Sequence, residues 1–128
     1  MRATILIGVM LILGISLHAQ SAYQPFTTDT TKGAETNYNT AGKEVNYMGL
    51  ATFDFTVSHD TATVILQGSN NSWTTAYDID TASHNSTTAA NYQLCANPVT
   101  YQKYRLKKAT ATGDTAYYTN ILFIYKKY

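Results

Sequence analysis

The feature that most restricts the fold is a strict two-residue alternation that begins at Val45. One set of alternating positions is almost entirely apolar, and it consists of Val45, Tyr47, Gly49, Ala51, Phe53, Phe55 and Val57. Because successive side chains of a β-strand point to opposite faces of a sheet, this pattern is typical of a half-buried strand. An amphipathic helix needs apolar residues at every third or fourth position, and no window beyond the first twenty residues has that spacing. The sequence therefore predicts an all-β fold.

Further stretches of strand length follow, and turn residues separate them. The Gly, Asn and Ser residues at 68–72 and the tripeptide Thr112-Gly113-Asp114 are typical of turns. Residues 80–88 are polar and are predicted to form a loop. Short antiparallel strands joined by turns favour a β-sandwich, jelly-roll or immunoglobulin-like, with about six to eight strands. Beyond the first strand, strands are predicted at residues 62–67, 73–79, 92–96, 101–110 and 115–128.

Residues 1–19 have the order of a secretory signal peptide. Arg2 gives a basic start, residues 5–17 are almost entirely apolar, and small residues surround a cleavage site after Ala19, with cleavage after Ser21 as the alternative. The apolar run is shorter than the ~18–20 residues that a membrane-spanning helix needs. We predict a signal helix that is removed on export and leaves no stable membrane span; an uncleaved anchor is the alternative. The mature chain is expected to be secreted, periplasmic, on the cell surface or in a virion.

The segment between the leader and the first predicted strand has few bulky apolar residues. Residues 20–42 are rich in Thr, Asn, Gly and Ala, so we expect a flexible, extended N-terminal arm. Tyr23 and Phe26 could anchor a short strand pairing near residues 24–28. The predicted organisation is therefore a signal peptide at 1–19, an arm at 20–42 and a β-sandwich domain at 43–128.

The charge is balanced in total and divided along the chain. The 128 residues carry nine Lys and Arg against eight Asp and Glu, which argues against a protein built to coat nucleic acid. Residues 23–100 contain seven acids and two lysines, a net charge of −5, whereas residues 101–128 contain six bases and one acid, a net charge of +5. The single cysteine excludes a disulfide framework or a multi-cysteine zinc site within one chain.

The basic residues of the predicted strand 101–110 fall on one of its faces. Lys103, Arg105 and Lys107 are two residues apart, and Tyr101 shares their face by the same alternation. Such a face is solvent-exposed, docks on an acidic neighbour such as a second copy of the chain, or binds polyanionic surface glycans. Single-stranded nucleic acid binds similar surfaces, but an exported protein is not expected to meet it. Aromatic rings can also stack on sugars. Basic and aromatic side chains together give the candidate partner or ligand surface: Lys103, Arg105, Lys107, Tyr101, Trp73 and Tyr77.

Other residues with possible chemistry give weaker patterns. Asp78 and Asp80 lie on one predicted strand face and could bind calcium, although no EF-hand loop surrounds them and a solvent-exposed face is the alternative. His59 and His84 flank turns, and without a Gly-x-Ser-x-Gly or His-Glu-x-x-His motif they are predicted to be exposed turn histidines. Cys95 is predicted to be a small buried side chain, with an intermolecular disulfide as the alternative. No catalytic residue, metal or cofactor is predicted, and we do not expect an enzyme.

The last predicted strand is apolar on both faces. Alternation puts Tyr117, Ile121 and Phe123 on one face, and Leu122 and Ile124 on the other. Either both faces are buried at the centre of a sheet, or one face packs on the core and the other meets a partner subunit. A mature chain of about 109 residues buries a limited share of its surface, so oligomerisation would be a natural supplement.

The stretch from Val64 to Asp80 carries a resemblance to known proteins. Its Val-x-Leu-Gln-Gly-Ser run, the Asn-rich turn, Trp73 and the aspartate-bearing strand beyond it resemble a hairpin of small β-sandwich proteins from phage virions and bacterial surfaces. Tyr104-Arg105-Leu106 and the turn before the last strand are similar to the same group. The resemblance implies a non-enzymatic assembly subunit that decorates a phage head or tail, with further copies or virion neighbours as partners. The alternative function is an exported carbohydrate-binding or adhesin module.

Overall fold

The computed structural model of the chain describes residues 20–42 and 49–127. Over these residues the backbone forms strands and contains no helix long and apolar enough to cross a membrane. The predicted signal peptide and the start of the predicted strand at Val45 lie outside the described residues. The strands are β1 (Gln20–Pro25), β2 (Asp29–Lys32), β3 (Thr36–Thr40), β4 (Ala51–His59), β5 (Thr61–Ser69), β6 (Tyr77–Asn85), β7 (Ala90–Ala96), β8 (Lys103–Thr110) and β9 (Thr115–Lys127).

The strands form two antiparallel sheets packed face to face, which confirms the predicted β-sandwich. The first sheet has the order β1-β9-β4-β7, and β2 follows β1 along the same edge of β9. The second sheet has the order β3-β8-β5-β6. Among the strands of the described residues, β5 and β6 are the only consecutive ones that pair, so most strand neighbours come from distant parts of the sequence.

The core lies between the two sheets and is built from their inward-facing side chains. The alternation predicted from Val45 to Val57 is confirmed over its described part, because Phe53, Phe55 and Val57 are buried along β4. The Phe53 and Phe123 rings lie 4.8 Å apart, and Tyr104 of the second sheet stacks on Phe123 at 6.4 Å. Each such side chain stabilises the fold by about 1.5–3 kcal/mol through the apolar area that it removes from water.

Residues 20–42 differ from the expectation of a flexible arm, because they contribute strands to both sheets. β1 and β2 pair with β9, and β3 pairs with β8 on the opposite sheet. Phe26 packs against Phe53 with ring centroids 5.9 Å apart, and Thr31 is fully buried. Edge strands need only one inward-facing side chain in two, and here small and polar residues fill several of those positions. The composition therefore resembles that of a loop although β1, β2 and β3 are each paired with a neighbouring strand.

The third predicted strand is displaced along the chain. Residues 73–79 were expected to form it and residues 80–88 a loop, but β6 runs from Tyr77 to Asn85. Trp73 lies in the preceding turn with a positive φ of 72°, where the Ser69 hydroxyl accepts its backbone N–H at 3.1 Å. The side chain of Asn71 accepts the N–H of Thr75 at 2.9 Å in the same turn. Because β6 is an edge strand with an exposed outer face, its polar residues gave no strand signal.

A β-bulge in β9 changes which of its side chains face the core. Ala116 and Tyr118 are buried, and beyond the bulge the buried residues are Ile121 and Phe123. Asn120 has a φ of 52°, and the register with β4 shifts at this point. Strict alternation predicted Tyr117 on the same face as Phe123. Because of the bulge, Tyr117 instead lies on the outer face. The strand is central in its sheet, but its outer face is only half-buried.

Candidate binding face on the second sheet

The basic residues of β8 point away from the core. Tyr104, Leu106 and Lys108 are buried, whereas Lys103, Arg105 and Lys107 alternate with them on the outer face of the second sheet. Neighbouring strands add side chains to the same surface, as the register pairs Tyr38 with Lys107 and Gln67 with Arg105. We call this surface the basic face and define it by Tyr38, Gln67, Trp73, Asp78, Lys103, Arg105 and Lys107.

Arg105 is the centre of the basic face. Its guanidinium carbon lies 4.2 Å from the ring centroid of Tyr38 and 4.3 Å from that of Trp73. Its Nε donates a hydrogen bond to Gln67 Oε1 at 2.9 Å, and Gln67 Nε2 donates to Asp78 Oδ1 at 2.6 Å. Contact with aromatic rings stabilises a guanidinium and restricts its motion. The arrangement therefore holds a positive charge in a fixed position beside two rings.

The turn between β5 and β6 is what carries Trp73 to Arg105. The turn is attached to the start of β8, because Asn70 Oδ1 accepts the N–H of Gln102 at 2.8 Å and Lys103 Nζ donates to the Ser72 hydroxyl at 3.2 Å. Ser72 and Trp73 both have positive φ values, which direct the tryptophan back over the sheet. A residue predicted to lie in a strand thus reaches the basic face from a turn.

Tyr77 and Tyr101 form a separate aromatic pair at one end of the sandwich. Their rings stack at 5.5 Å, and Tyr101 packs edge-on against the buried Tyr104 at 6.4 Å. The ring of Tyr101 covers Gly68 so closely that no β-carbon fits there. The expectation that Tyr101 shares the face of Lys103 is wrong, because β8 begins only at Lys103 and the alternation does not extend back to residue 101. Of the six predicted surface residues, the structure brings together Trp73, Lys103, Arg105 and Lys107.

Two members of the basic face were missed by sequence reasoning. Tyr38 is 47% exposed and lies in the segment interpreted as an arm. The five residues of β3 alternate in burial, but so short a run does not stand out from the surrounding polar sequence. Gln67 ends the predicted strand 62–67, where nothing in the sequence connects it with Arg105 or Asp78.

A buried ion pair lies on the inner side of the same strand. Lys108 is fully buried, contacts the Asp29 carboxylate of β2 and lies 5.1 Å from the ring centroid of Tyr118. Burial lowers the pKa of Lys108, although the hydrogen bond and charge of Asp29 oppose this effect. Burial raises the pKa of Asp29, but Lys108 and the N–H of Thr30 outweigh it and hold that pKa below 3.8. The alternation in β8 already placed Lys108 beside Leu106 on the inner face, so the signal was present in the sequence.

Asp78 and Asp80, the two aspartates considered for calcium, do not lie on the same face of β6. A register shift separates them, because Gln67 pairs with Asp78 and Leu66 pairs with Asp80. Asp80 instead accepts the backbone N–H groups of Thr81 at 2.9 Å and Cys95 at 3.1 Å. Within residues 20–42 and 49–127, no three His, Cys, Asp or Glu side chains are grouped closely enough to hold a metal ion.

The two histidines within the described residues, His59 and His84, and the cysteine lie away from the basic face. His84 is buried and not exposed as predicted, because it is enclosed between the Tyr92 hydroxyl at 3.0 Å and the Ser86 carbonyl at 2.8 Å. His59 is exposed, as predicted, and stacks on Tyr117 at 5.4 Å on the first sheet. Cys95 is a half-buried free thiol, so its predicted burial is only partial.

The first sheet carries a polar groove on its outer face. It encloses about 500 Å³, and its polar side chains are bonded to one another: Gln93 Nε2 donates to Asp54 Oδ1 at 2.8 Å, and the Thr56 hydroxyl donates to Asn91 Oδ1 at 2.7 Å. Its aromatic lining residues are Phe55, which is buried, and Tyr92, which is half-buried and stacks on Phe55 at 5.7 Å. The groove therefore offers mainly hydrogen-bonding groups, whereas Tyr38 of the basic face is 47% exposed. Its lining residues are Asp54, Phe55, Thr56, Asn91, Tyr92, Gln93 and Asn120.

Comparisons with known proteins agree with the architecture. No family model and no curated protein matches the chain. Among solved structures, it is similar to a family 29 carbohydrate-binding module, with 14% identity over 82% of this chain and 89% of that chain and a TM-score of 0.52. A variant of such a module matches with 14% identity, coverage of 82% and 86%, and a TM-score of 0.51. A Bacillus endospore appendage protein that forms disulfide-linked pili matches with 8% identity, coverage of 87% and 92%, and a TM-score of 0.47. At these identities the likeness to the modules shows a shared β-sandwich fold.

Proposed function

We propose that this chain is a non-enzymatic binding module that takes a glycan on the basic face. The observation that carries the proposal is the contact of Arg105 with Tyr38 and Trp73, beside the hydrogen-bonded side chains of Gln67 and Asp78. Sugar recognition requires apolar ring surfaces for the C–H faces of the sugar and fixed polar groups for its hydroxyls. The basic face supplies both on the surface of a sheet, where a rigid backbone fixes their spacing.

Two further observations support a binding role. Within residues 20–42 and 49–127 the histidines lie elsewhere, His84 buried against Tyr92 and His59 on the first sheet, so neither of these two supplies acid–base chemistry to the basic face. The family 29 modules to which the chain is similar in fold are named for carbohydrate binding. Export is part of the proposal and depends on the predicted signal peptide at residues 1–19, since extracellular polysaccharides are reached only from outside the cell.

Glycan binding is tested with the folded chain on an array of polysaccharides and by affinity gel electrophoresis. Replacing Trp73 or Tyr38 by alanine removes a ring from the basic face, and each change should weaken binding about tenfold, equivalent to ~1.4 kcal/mol. Tyr23→Ala is the matched control, because that ring is 63% exposed but lies on the first sheet. Unchanged binding in both test variants, or an equal loss in Tyr23→Ala, would contradict glycan binding on the basic face.

A second candidate function is assembly, and a different surface supports it. On the outer face of the first sheet the register sets Tyr23 beside Ile124 and Pro25 beside Leu122. Tyr23 and Pro25 are exposed, and Leu122 and Ile124 are half-buried. Apolar side chains grouped on an open sheet face are typical of a surface that contacts another protein. In this alternative the chain is a structural subunit, and the resemblance of its Val64–Trp73 hairpin to virion proteins suggests a phage head or tail as the setting.

A further inference from the structure

We infer that the glycan bound by the basic face is an acidic polysaccharide, one that carries carboxylate or sulfate groups at regular intervals. This inference rests on the proposed function of that face and narrows its ligand class. It follows from the charge of the face, from the way Arg105 is held and from the distribution of charge over the rest of the chain.

The basic face carries more positive than negative charge. Lys103, Arg105 and Lys107 are spaced ~7 Å apart along β8, the repeat of alternate residues in a strand. Asp78 is the one carboxylate among the residues that define the face, and the amide of Gln67 already donates to it. Within the described part of the chain, no carboxylate forms an ion pair with Arg105 or Lys107. A neutral ligand would leave the charges of Arg105 and Lys107 without an anionic partner.

Arg105 is positioned so that one edge of its guanidinium remains available. Its hydrogen bond to Gln67 is made through Nε, and the rings of Tyr38 and Trp73 contact the guanidinium group. Within residues 20–42 and 49–127, the terminal Nη atoms have no hydrogen-bond partner. Two parallel N–H groups on a fixed planar fork match the two oxygens of a carboxylate or a sulfate. A sugar ring lying against the aromatic side chains would bring its acidic substituent within reach of that fork.

The remainder of the chain favours the same ligand by contrast. Residues 23–100 have a net charge of −5, so a polyanion is repelled by most of the body and attracted to the basic strand. A linear polymer with regularly repeated anions can contact several cations of β8 at once, which strengthens binding without any single strong contact. A short or neutral sugar would gain nothing from this row.

The test compares acidic and neutral polysaccharides at low and high salt. Isothermal titration of the folded chain with polygalacturonate and chondroitin sulfate should give affinities roughly tenfold or more above those for neutral galactan, and added sodium chloride should weaken the acidic ligands selectively. Arg105→Lys keeps the charge but removes the planar fork, and it should weaken binding of the acidic ligands roughly tenfold. Lys126→Ala is the control, because it removes one positive charge at an exposed position on the first sheet. Thermal unfolding by circular dichroism checks that each variant is folded.

The outcomes separate the inference from the proposed function. If neutral and acidic polysaccharides bind equally and Trp73→Ala weakens both, the glycan site stands and the acidic ligand class is wrong. If Arg105→Lys has no effect, or if Lys126→Ala weakens binding as much as Arg105→Lys does, the attraction is unspecific and the inference is overturned. If no polysaccharide of either kind binds, the proposed function itself fails.

Discussion

At the scale of single residues, Lys108 connects the two sheets through the interior. It projects from β8 of the second sheet to Asp29 on β2 of the first, and Tyr118 and Thr31 close the polar cluster with a hydrogen bond of 3.1 Å. Removing one partner of a buried ion pair strongly destabilises the folded protein, because the remaining charge is buried without a counter-ion. Replacing both partners by well-packed apolar side chains of similar volume often leaves the stability unchanged. Asp29 therefore contributes to stability as the counter-ion of the buried Lys108, although its own side chain is only partly buried.

This asymmetry gives a prediction for the two partners. Asp29→Asn leaves Lys108 buried without its counter-ion, and we expect the free energy of unfolding to fall by about 2–3 kcal/mol. This loss is at or below the lower end of the usual range of about 3–5 kcal/mol, because Asp29 is 31% exposed. Lys108→Met removes the buried charge as well, and it should stay within about 1.5 kcal/mol of the wild type. Urea unfolding at neutral pH measures both variants. Equal losses of unfolding free energy in the two variants would mean that the unpaired charge of Lys108 is not what destabilises Asp29→Asn.

The same pair predicts the direction of the acid response. The pKa of Asp29 is lowered in the folded chain from its ordinary value of 3.8, so as the pH falls through 3.8 the unfolded chain binds more protons than the folded one. The contribution of Asp29 is thus complete above that pH and is lost as the pH falls through the folded pKa. Asp29→Asn should lack this part of the acid destabilisation when the urea series is repeated at acidic pH.

At the scale of elements, the bulge in β9 shows how far a pattern can be followed. The alternation of burial in β4 and β8 could be predicted from the sequence because, along most of each strand, every second residue faces the core. In β9 the alternation is interrupted at Asn120, and the interruption becomes visible only from the register shift against β4. Likewise β6 was displaced in the prediction, because its polar edge face looks like a loop. Strands could be predicted from period-two burial, but their exact pairing could not.

Asn120 therefore provides a prediction for an element. A β-branched residue tolerates a positive φ poorly, so Asn120→Val should lower the free energy of unfolding by about 1–2 kcal/mol. Asn120→Gly should be much milder, because glycine adopts this backbone conformation freely. Thr119→Val is the matched control at an adjacent half-buried position, and it should change stability by less than about 0.5 kcal/mol. A neutral Asn120→Val, measured by thermal and urea unfolding, would show that the bulge does not depend on the left-handed residue.

At the scale of the whole molecule, the two outer faces have different characters. The second sheet presents the basic face, and the first sheet presents apolar side chains together with a polar groove. Small sandwiches bury a limited fraction of their surface, so an apolar outer face is a natural place for a second protein. Binding and assembly would therefore use opposite sides of one domain and need not interfere with each other.

The assembly alternative predicts self-association through the first sheet. The double change Tyr23→Ser with Leu122→Thr should abolish any rise in mass with concentration, as followed by size-exclusion chromatography with light scattering. Trp73→Ala on the second sheet is the control and should leave the mass unchanged. A wild-type chain that stays monomeric at high concentration would refute self-association, and absence of its peptides from purified phage particles would refute the virion setting.

The sequence alone predicted an all-β sandwich, because alternation and turn residues are local properties that can be recognised without knowing which segments pair. It also placed Lys103, Arg105 and Lys107 on one outer face for the same reason. The folded structure was needed to identify the groups that contact Arg105: Tyr38 comes from β3, and Trp73 comes from a turn between β5 and β6. The folded structure also brings Asp29, 79 positions away in the sequence, beside the buried Lys108. Side-chain neighbours across a sheet depend on strand order and register, which are settled by the packing of the whole chain and not by any single segment.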